Sequence, residues 1–312
     1  MTAARRYLDG QTYLVTRRCA RRCFFLKPTR RALAIMRYCL AYVASRYSVE
    51  IHAVVFNSSH VHYVLTDPHC ELARFMQHLD GLMARAMNAH LGRGECFWGG
   101  TRSFSKVALH GREKILEKLV YTILNVVKDG LVRRPEQWPG IVSTARDPGR
   151  RVFKALRPDF FFRSEGTAEK PPLPAEASFR FEVPPGFEDL GDEGFRDLLE
   201  ARVGAELRRI HAERKAAGKT RFMGRRAVLA QSPYDSAGDV FPTRGLDPTL
   251  AHDPEERAAV RGALREWRAE YRAALARYLA GNRRVVFPVG TYLMRVRFHV
   301  RTGTSPPRNA AA

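Results

Sequence analysis

With 312 residues, 45% of them hydrophobic, the chain is long enough for two domains of ordinary size and too apolar for wholesale disorder. Lys and Arg number 53 against 32 Asp and Glu, a formal net charge of +21. That charge favours a polyanionic partner, because each neutralised phosphate releases a condensed counterion.

The excess is concentrated early: residues 1–50 hold 11 Lys and Arg and only 2 Asp and Glu. Within that stretch, residues 12–19 read as a strand, and 28–47 read as a helix that starts near Pro28 and turns Leu33, Met36, Leu40 and Val43 to one side. A second strand spans 49–56, Asn57-Ser58-Ser59 is turn chemistry, and a third strand spans 60–66. Residues 71–90 are helical, with Leu72, Phe75, Leu79, Leu82 and Met83 inward. A fourth strand covers 102–109, and a helix over 113–128 is closed by Gly130. The order β-α-β-β-α-β, followed by a helix, predicts a ferredoxin-like α+β fold. Two helices then cover one face of an antiparallel sheet, and the other face is left for a later element or a ligand.

Past Trp138-Pro139-Gly140 the character changes. Pro171-Pro172-Leu173-Pro174 and Pro184-Pro185-Gly186 mark a linker region, with a short strand at 178–183, and the boundary falls near 145–165. The expected organisation is a domain over 1–150 and a basic, mostly helical extension over 151–312. One extension helix spans 192–217, with Phe195, Leu199, Val203 and Ile210 inward. Another spans 253–281, opened by Asp253 as cap, Pro254 in the first turn and Glu256 completing a capping box. Arg257, Arg261, Arg265, Arg268 and Arg272 line that last helix, and a solvated face is the simpler reading of such a run.

Cys19, Cys23, Cys39, Cys70 and Cys96 form no paired Cys-x-x-Cys units, so neither a zinc ribbon nor a disulfide framework is expected. Reduced thiols, no apolar signal core and no run of about 18 apolar residues suit a cytoplasmic chain without a membrane partner.

Chemistry concentrates in two short pieces. Residues two apart on a strand project to the same side, so His60 and His62 point together while Val61 points away. A His-x-His pair is also a common structural pair and is insufficient alone. Tyr121 and Asn125 stand four apart on a helix and share a face, with Glu117 one turn earlier. A core aromatic and a polar helix end are the plain alternatives for these two. If the helix crosses the sheet face that carries the histidines, two imidazoles, an amide oxygen and a phenol converge. Such a set suits Mg²⁺ or Mn²⁺ with water and phosphate oxygens completing the coordination. Tyr121 is then the nucleophile toward a phosphodiester.

At these residues the chain resembles the single-tyrosine HUH transposases, among them the IS200-like and REP-associated tyrosine transposases. That family carries a His-hydrophobic-His strand, here His60-Val61-His62, after an Asn/Ser turn. Its nucleophile lies on a later helix in a pattern like Tyr-x-x-x-Asn-Pro-Val-Arg-Ala-Gly-Leu-Val. Here the stretch reads Tyr121-Thr122-Ile123-Leu124-Asn125-Val126-Val127-Lys128-Asp129-Gly130-Leu131-Val132. Thr16-Arg17-Arg18, Phe97-Trp98-Gly99 and the ending Arg134-Pro135-Glu136-Gln137-Trp138-Pro139 are similar as well, so the likeness covers residues 10–145.

The resemblance implies His60, His62 and Asn125 as metal ligands and Tyr121 as nucleophile. It also implies a 5′-phosphotyrosine intermediate and single-stranded DNA, often with a hairpin near the cleavage site. A bacterial, nucleoid-associated protein acting as monomer or homodimer would fit. Two departures are Val126 where the family commonly has Pro, and Ser59 where Asn often precedes the first histidine.

Arg17, Arg18, Arg21 and Arg22 are the candidate phosphate contacts at the site entrance. Two other readings remain. One is a catalytically inactive nucleic-acid-binding protein on the same sheet. The other is a zinc hydrolase, which needs a third His or carboxylate ligand and has only Glu117 nearby as a base. For the extension, the Gly218 turn followed by Arg221, Arg225 and Arg226 permits a helix-turn-helix-like unit for auxiliary DNA binding.

Overall fold

The computed structural model describes residues 4–100, 104–160, 172–238 and 248–303. Arg102 and Ser103 of the predicted fourth strand and Pro171 of the linker lie outside them. The first elements follow the predicted order: β1 (Gln11–Arg18), α1 (Arg30–Ala44), β2 (Glu50–Phe56), β3 (His60–Asp67), α2 (Leu72–Leu91) and β4 (Ser105–Leu109). The four strands lie in the order β2-β3-β1-β4, and every neighbouring pair is antiparallel. The fold is therefore α+β and ferredoxin-like.

Local chemistry sets the element ends. The Thr29 hydroxyl accepts the Ala32 N–H at 3.3 Å and caps α1, which leaves Pro28 just outside the helix. The Asp67 carboxylate, at the end of β3, accepts the N–H groups of Glu71 and Leu72 at 2.7 and 2.9 Å and opens α2. Gly92, at φ 64°, closes it.

Alternation along the strands divides two cores. Tyr13, Val15, Val54, Phe56, Val61, Tyr63 and Leu65 face α1 and α2. Leu14, Ala53, Val55, Val64, Val107 and Leu109 face the other way. That second face is covered by α3 (Arg112–Ile123), through Ile115, Leu116, Leu119, Val120 and Ile123. The helix expected over 113–128 is in fact two. Leu124, at φ −90° and ψ 5°, breaks it, and α4 (Asn125–Lys128) follows as a single turn closed by Gly130 at φ 73°.

The packing shows no break near residue 150. A hairpin of β5 (Val152–Leu156) and β6 (Glu176–Arg180) lies on α1, with Phe153, Ala155, Ala177 and Phe181 in the first core. Helix α5 (Gly191–Ala216) packs on α3 and puts Phe195, Leu199 and Ile210 into the second core, which also takes Val228 of α6 (Gly224–Ala230). Farther on, β7 (Thr249–Leu250) joins the sheet edge parallel to β4. The cap at Asp253 forms as predicted, its carboxylate accepting the Glu256 N–H at 2.9 Å at the start of α7 (Pro254–Leu279). This helix, β8 (Val286–Phe287), α8 (Leu293–Phe298) and β9 (Arg301–Thr302) surround a third, smaller cluster of Ala274, Val285, Phe287, Met294 and Val300. No helix among the described residues is long and apolar enough to cross a membrane.

Candidate active site

The turn Asn57-Ser58-Ser59 launches β3 so that His60 and His62 emerge on the face covered by α3. Asn57 organises the turn: its Oδ1 accepts the Ser58 N–H at 2.6 Å, and its backbone N–H donates to the His60 carbonyl at 2.9 Å. The two imidazoles stand 4.8 Å apart, centroid to centroid. Each has its Nδ1 tied to a hydroxyl. His62 Nδ1 shares a hydrogen bond of 2.8 Å with Thr16 Oγ1, its register partner on β1, and His60 Nδ1 shares one of 3.1 Å with Ser59 Oγ. Outer partners of this kind orient a metal-binding histidine and choose its tautomer.

Helix α3 delivers Tyr121 to the same place. Its Oη lies 3.4 Å from His62 Nε2, with the rings 5.2 Å apart and steeply inclined. The break at Leu124 then sets Asn125 inward, 2% exposed, where it hydrogen-bonds His60 and accepts from Asn57 Nδ2 at 3.1 Å through its Oδ1. Asn57 Nδ2 also donates to Asp129 Oδ2 at 2.8 Å. His60, His62, Tyr121 and Asn125, separated by up to 65 residues in the chain, are thus one cluster.

Burial lowers the basicity of both imidazoles. His60 is pushed down to about 4, chiefly by desolvation and further by the charges of Arg18 and Arg22. His62 falls well below its ordinary value for the same first reason, with His60, Arg18 and Lys118 adding to it. Both are neutral near pH 7, the form that binds a cation. The donor set fits a hard divalent cation that keeps water and phosphate oxygens. It does not supply a third histidine, cysteine or carboxylate: among the described residues no group of three such side chains could hold a metal ion. Glu117, the base a zinc hydrolase would need, is paired with Lys114 and Lys118 instead.

The four arginines separate. Arg18 is exposed and opposite His60 in the sheet register, on the histidine face. Arg22 lies close enough to act on His60, in a loop where it and Arg21 adopt φ 57° and 51°. Arg21 is exposed. Arg17 points to the opposite face of the sheet, where its Nε meets Asp80 Oδ2 at 2.9 Å and its guanidinium lies over Trp98. It braces β1 against α2 and does not face the site. Sequence reading missed Lys118 and Lys128, whose ammonium groups lie 5.6 and 5.4 Å from the centre of the Tyr121 ring. Their spacing from Tyr121, three before and seven after, is the helical signal that would have found them.

The family model described as Transposase IS200 like matches residues 9–107, a stretch that holds both histidines and ends before Tyr121. No curated protein matches the chain. Among solved structures, a REP-associated tyrosine transposase bound to a REP hairpin is 23% identical, over 47% of this chain and 85% of that one, with a TM-score of 0.40. A candidate transposase from Deinococcus radiodurans R1 is 20% identical, over 38% of this chain and 93% of that one, with a TM-score of 0.29. Through the segment that builds the sheet and carries both histidines, the chain is similar to the IS200-like transposases.

Proposed function

We propose that the protein is a metal-dependent single-strand DNA endonuclease and strand transferase, with Tyr121 as nucleophile and hairpin-containing strands as substrate. One observation carries this reading: the Tyr121 phenol lies 3.4 Å from His62 Nε2, with His60 and Asn125 hydrogen-bonded beside it. The net charge of +21 and the transposase family of residues 9–107 agree with a DNA substrate.

His60, His62 and Asn125 would hold Mg²⁺ or Mn²⁺, which when bound polarises the scissile phosphate and stabilises its developing charge. Other residues prepare the phosphate and the nucleophile. Arg18 and Arg22 offer fixed positive charge to the non-bridging oxygens. Lys118 and Lys128 flank the phenol and place positive charge beside it. Tyr121 Oη attacks phosphorus and its proton passes to water. The bond from phosphorus to the 3′-oxygen breaks, that oxygen takes up a proton, and the 5′ end stays on the tyrosine as a phosphodiester. Attack by another strand's 3′-hydroxyl reverses the step without ATP, because the number of phosphoester bonds is unchanged.

The test is incubation of labelled single-stranded hairpin DNA, from the flanks of the coding region, with wild type and Tyr121→Phe in Mg²⁺ or Mn²⁺. A denaturant-resistant protein–DNA adduct that requires metal and is lost in Tyr121→Phe is expected. Tight binding with no adduct in wild type would replace this reading with a DNA-binding protein that lacks the chemistry.

A further inference from the structure

Two stretches of the extension are tied to opposite rims of the active site. On one side the N–H groups of Met223 and Gly224 donate to the carbonyls of Gly130 and Leu131 at 2.9 and 2.8 Å, just beyond the turn that carries Asn125 and Lys128. Arg214 seals this rim. It stacks on Phe222 at 4.4 Å, donates to the Arg221 carbonyl at 2.9 Å, and lies so near Gly130 that a Cβ there would be 2.8 Å from its Nη1. On the other side Lys27 Nζ donates to the carbonyls of Leu229 and Gln231 at 3.3 and 2.7 Å. The Phe24 N–H donates to the Asp235 carbonyl at 3.0 Å, and Ser236 bridges to Cys23. This second rim continues directly from the loop of Arg21 and Arg22. Between the two rims Val228 is fully buried. Residues 223–236 are thus a strap from the turn after Tyr121 to the arginine loop.

The charge just before and along most of the strap is uniformly positive, as it is again beyond Glu270. Earlier in α5, Arg202 pairs with Glu113 at 2.9 Å and Arg209 with Glu206 at 2.6 Å. Between Glu213 and Asp235 there is no acidic residue. Lys215, Lys219, Arg221, Arg225 and Arg226 are all exposed, and among the described residues none of them makes an ion pair. Five like charges without ion-pair partners repel one another. A polyanion laid along them removes the repulsion and releases counterions. The arginines of α7 from Arg257 to Arg268 differ, being interspersed with Glu255, Glu256, Glu266 and Glu270 as a solvated face requires.

We infer that residues 215–226 form a phosphate-tracking wall of the active site, which takes the backbone of single-stranded DNA beyond the cleaved phosphate. The strap holds this wall in register with Tyr121. The inference rests on single-stranded DNA being the substrate. It also replaces the helix-turn-helix expectation: α6 has seven residues and buries Val228, so it offers no free recognition helix.

The experiment compares full-length wild type with Arg225→Gln/Arg226→Gln on the hairpin strand, measuring affinity across a salt series, the Tyr121 adduct and the melting temperature. Because both arginines are exposed, an unchanged melt is expected. With about 0.7 counterions released per single-strand phosphate, losing two contacts lowers the salt slope by about 1.4 and weakens binding by roughly an order of magnitude at 0.1 M salt. Unchanged affinity and slope, while wild type still forms the adduct, would overturn the wall and leave the proposed chemistry standing. Weaker binding with an unchanged slope would also overturn it, since that is lost packing and not a lost phosphate contact. If wild type neither binds the strand nor forms the adduct, the substrate reading itself falls and the wall with it.

Discussion

At the scale of single residues, period-two alternation decides what can meet. It sets His60 and His62 on one face with Thr16 and Arg18, and it sends Arg17 through the sheet to Asp80. The pairing of the histidines was therefore legible, and so in principle was the separation of Arg17 from Arg18. A fully buried histidine outside the site belongs to the fold. His52 sits at the irregularity between Ile51 and Ala53 in β2, bonded at 2.8 Å both to Thr66 Oγ1 and to the Glu182 carbonyl. Burial lowers its pKa from 6.5 to about 4. Below pH 6.5 the unfolded chain takes up a proton that the folded chain refuses until about pH 4, so the stability present above 6.5 is lost as the pH falls through that window. The loss amounts to as much as about 3 kcal/mol. Denaturant titrations at pH 7, 5.5 and 4 should show wild type losing more stability over this range than His52→Gln, although the variant starts lower. Equal losses would mean that His52 is not the proton site.

At the scale of elements, caps and periodicity placed most boundaries within a few residues. Asp253, Pro254 and Gly130 did what their chemistry predicts. The break at Leu124 was not legible, because no proline or glycine marks it. It follows from tertiary packing, which buries Asn125, Val126 and Val127 together after a helix whose own buried stripe ends at Ile123. Gly130 then has two tasks, a left-handed cap at φ 73° and close contact with Arg214. Gly130→Ala should lower stability by about 1–2 kcal/mol, since the backbone strain adds to the displacement of Arg214. A urea midpoint within error of wild type would contradict that assignment.

At the scale of the molecule, the extension completes the fold of the first 150 residues. Phe195, Leu199 and Ile210 of α5 close the core beneath α3, and the β5–β6 hairpin closes the one beside α1. A chain cut at residue 150 should lose its cooperative melt, because the helix carrying Tyr121 loses the helix packed on it. A chain ending at residue 238 keeps both cores and should melt cooperatively. Comparing the two by circular dichroism on heating checks this, and a cooperative 1–150 fragment would show the extension to be dispensable. For the same reason, lost DNA binding in a 1–150 fragment would report unfolding and not an absent contact.

By itself the sequence determined the order of the first elements, the ferredoxin-like class and the pairing of His60 with His62. Strand alternation, helix caps and turn residues act over a few positions and are readable locally. Only the tertiary structure decided that Tyr121 reaches His62, 59 residues earlier in the chain, that Asn125 turns inward, and that the extension straps both rims of the site. Those outcomes depend on which buried faces meet. Helix α3 crosses β3 because its apolar side completes the uncovered face of the sheet, and that choice is made by packing across the whole core.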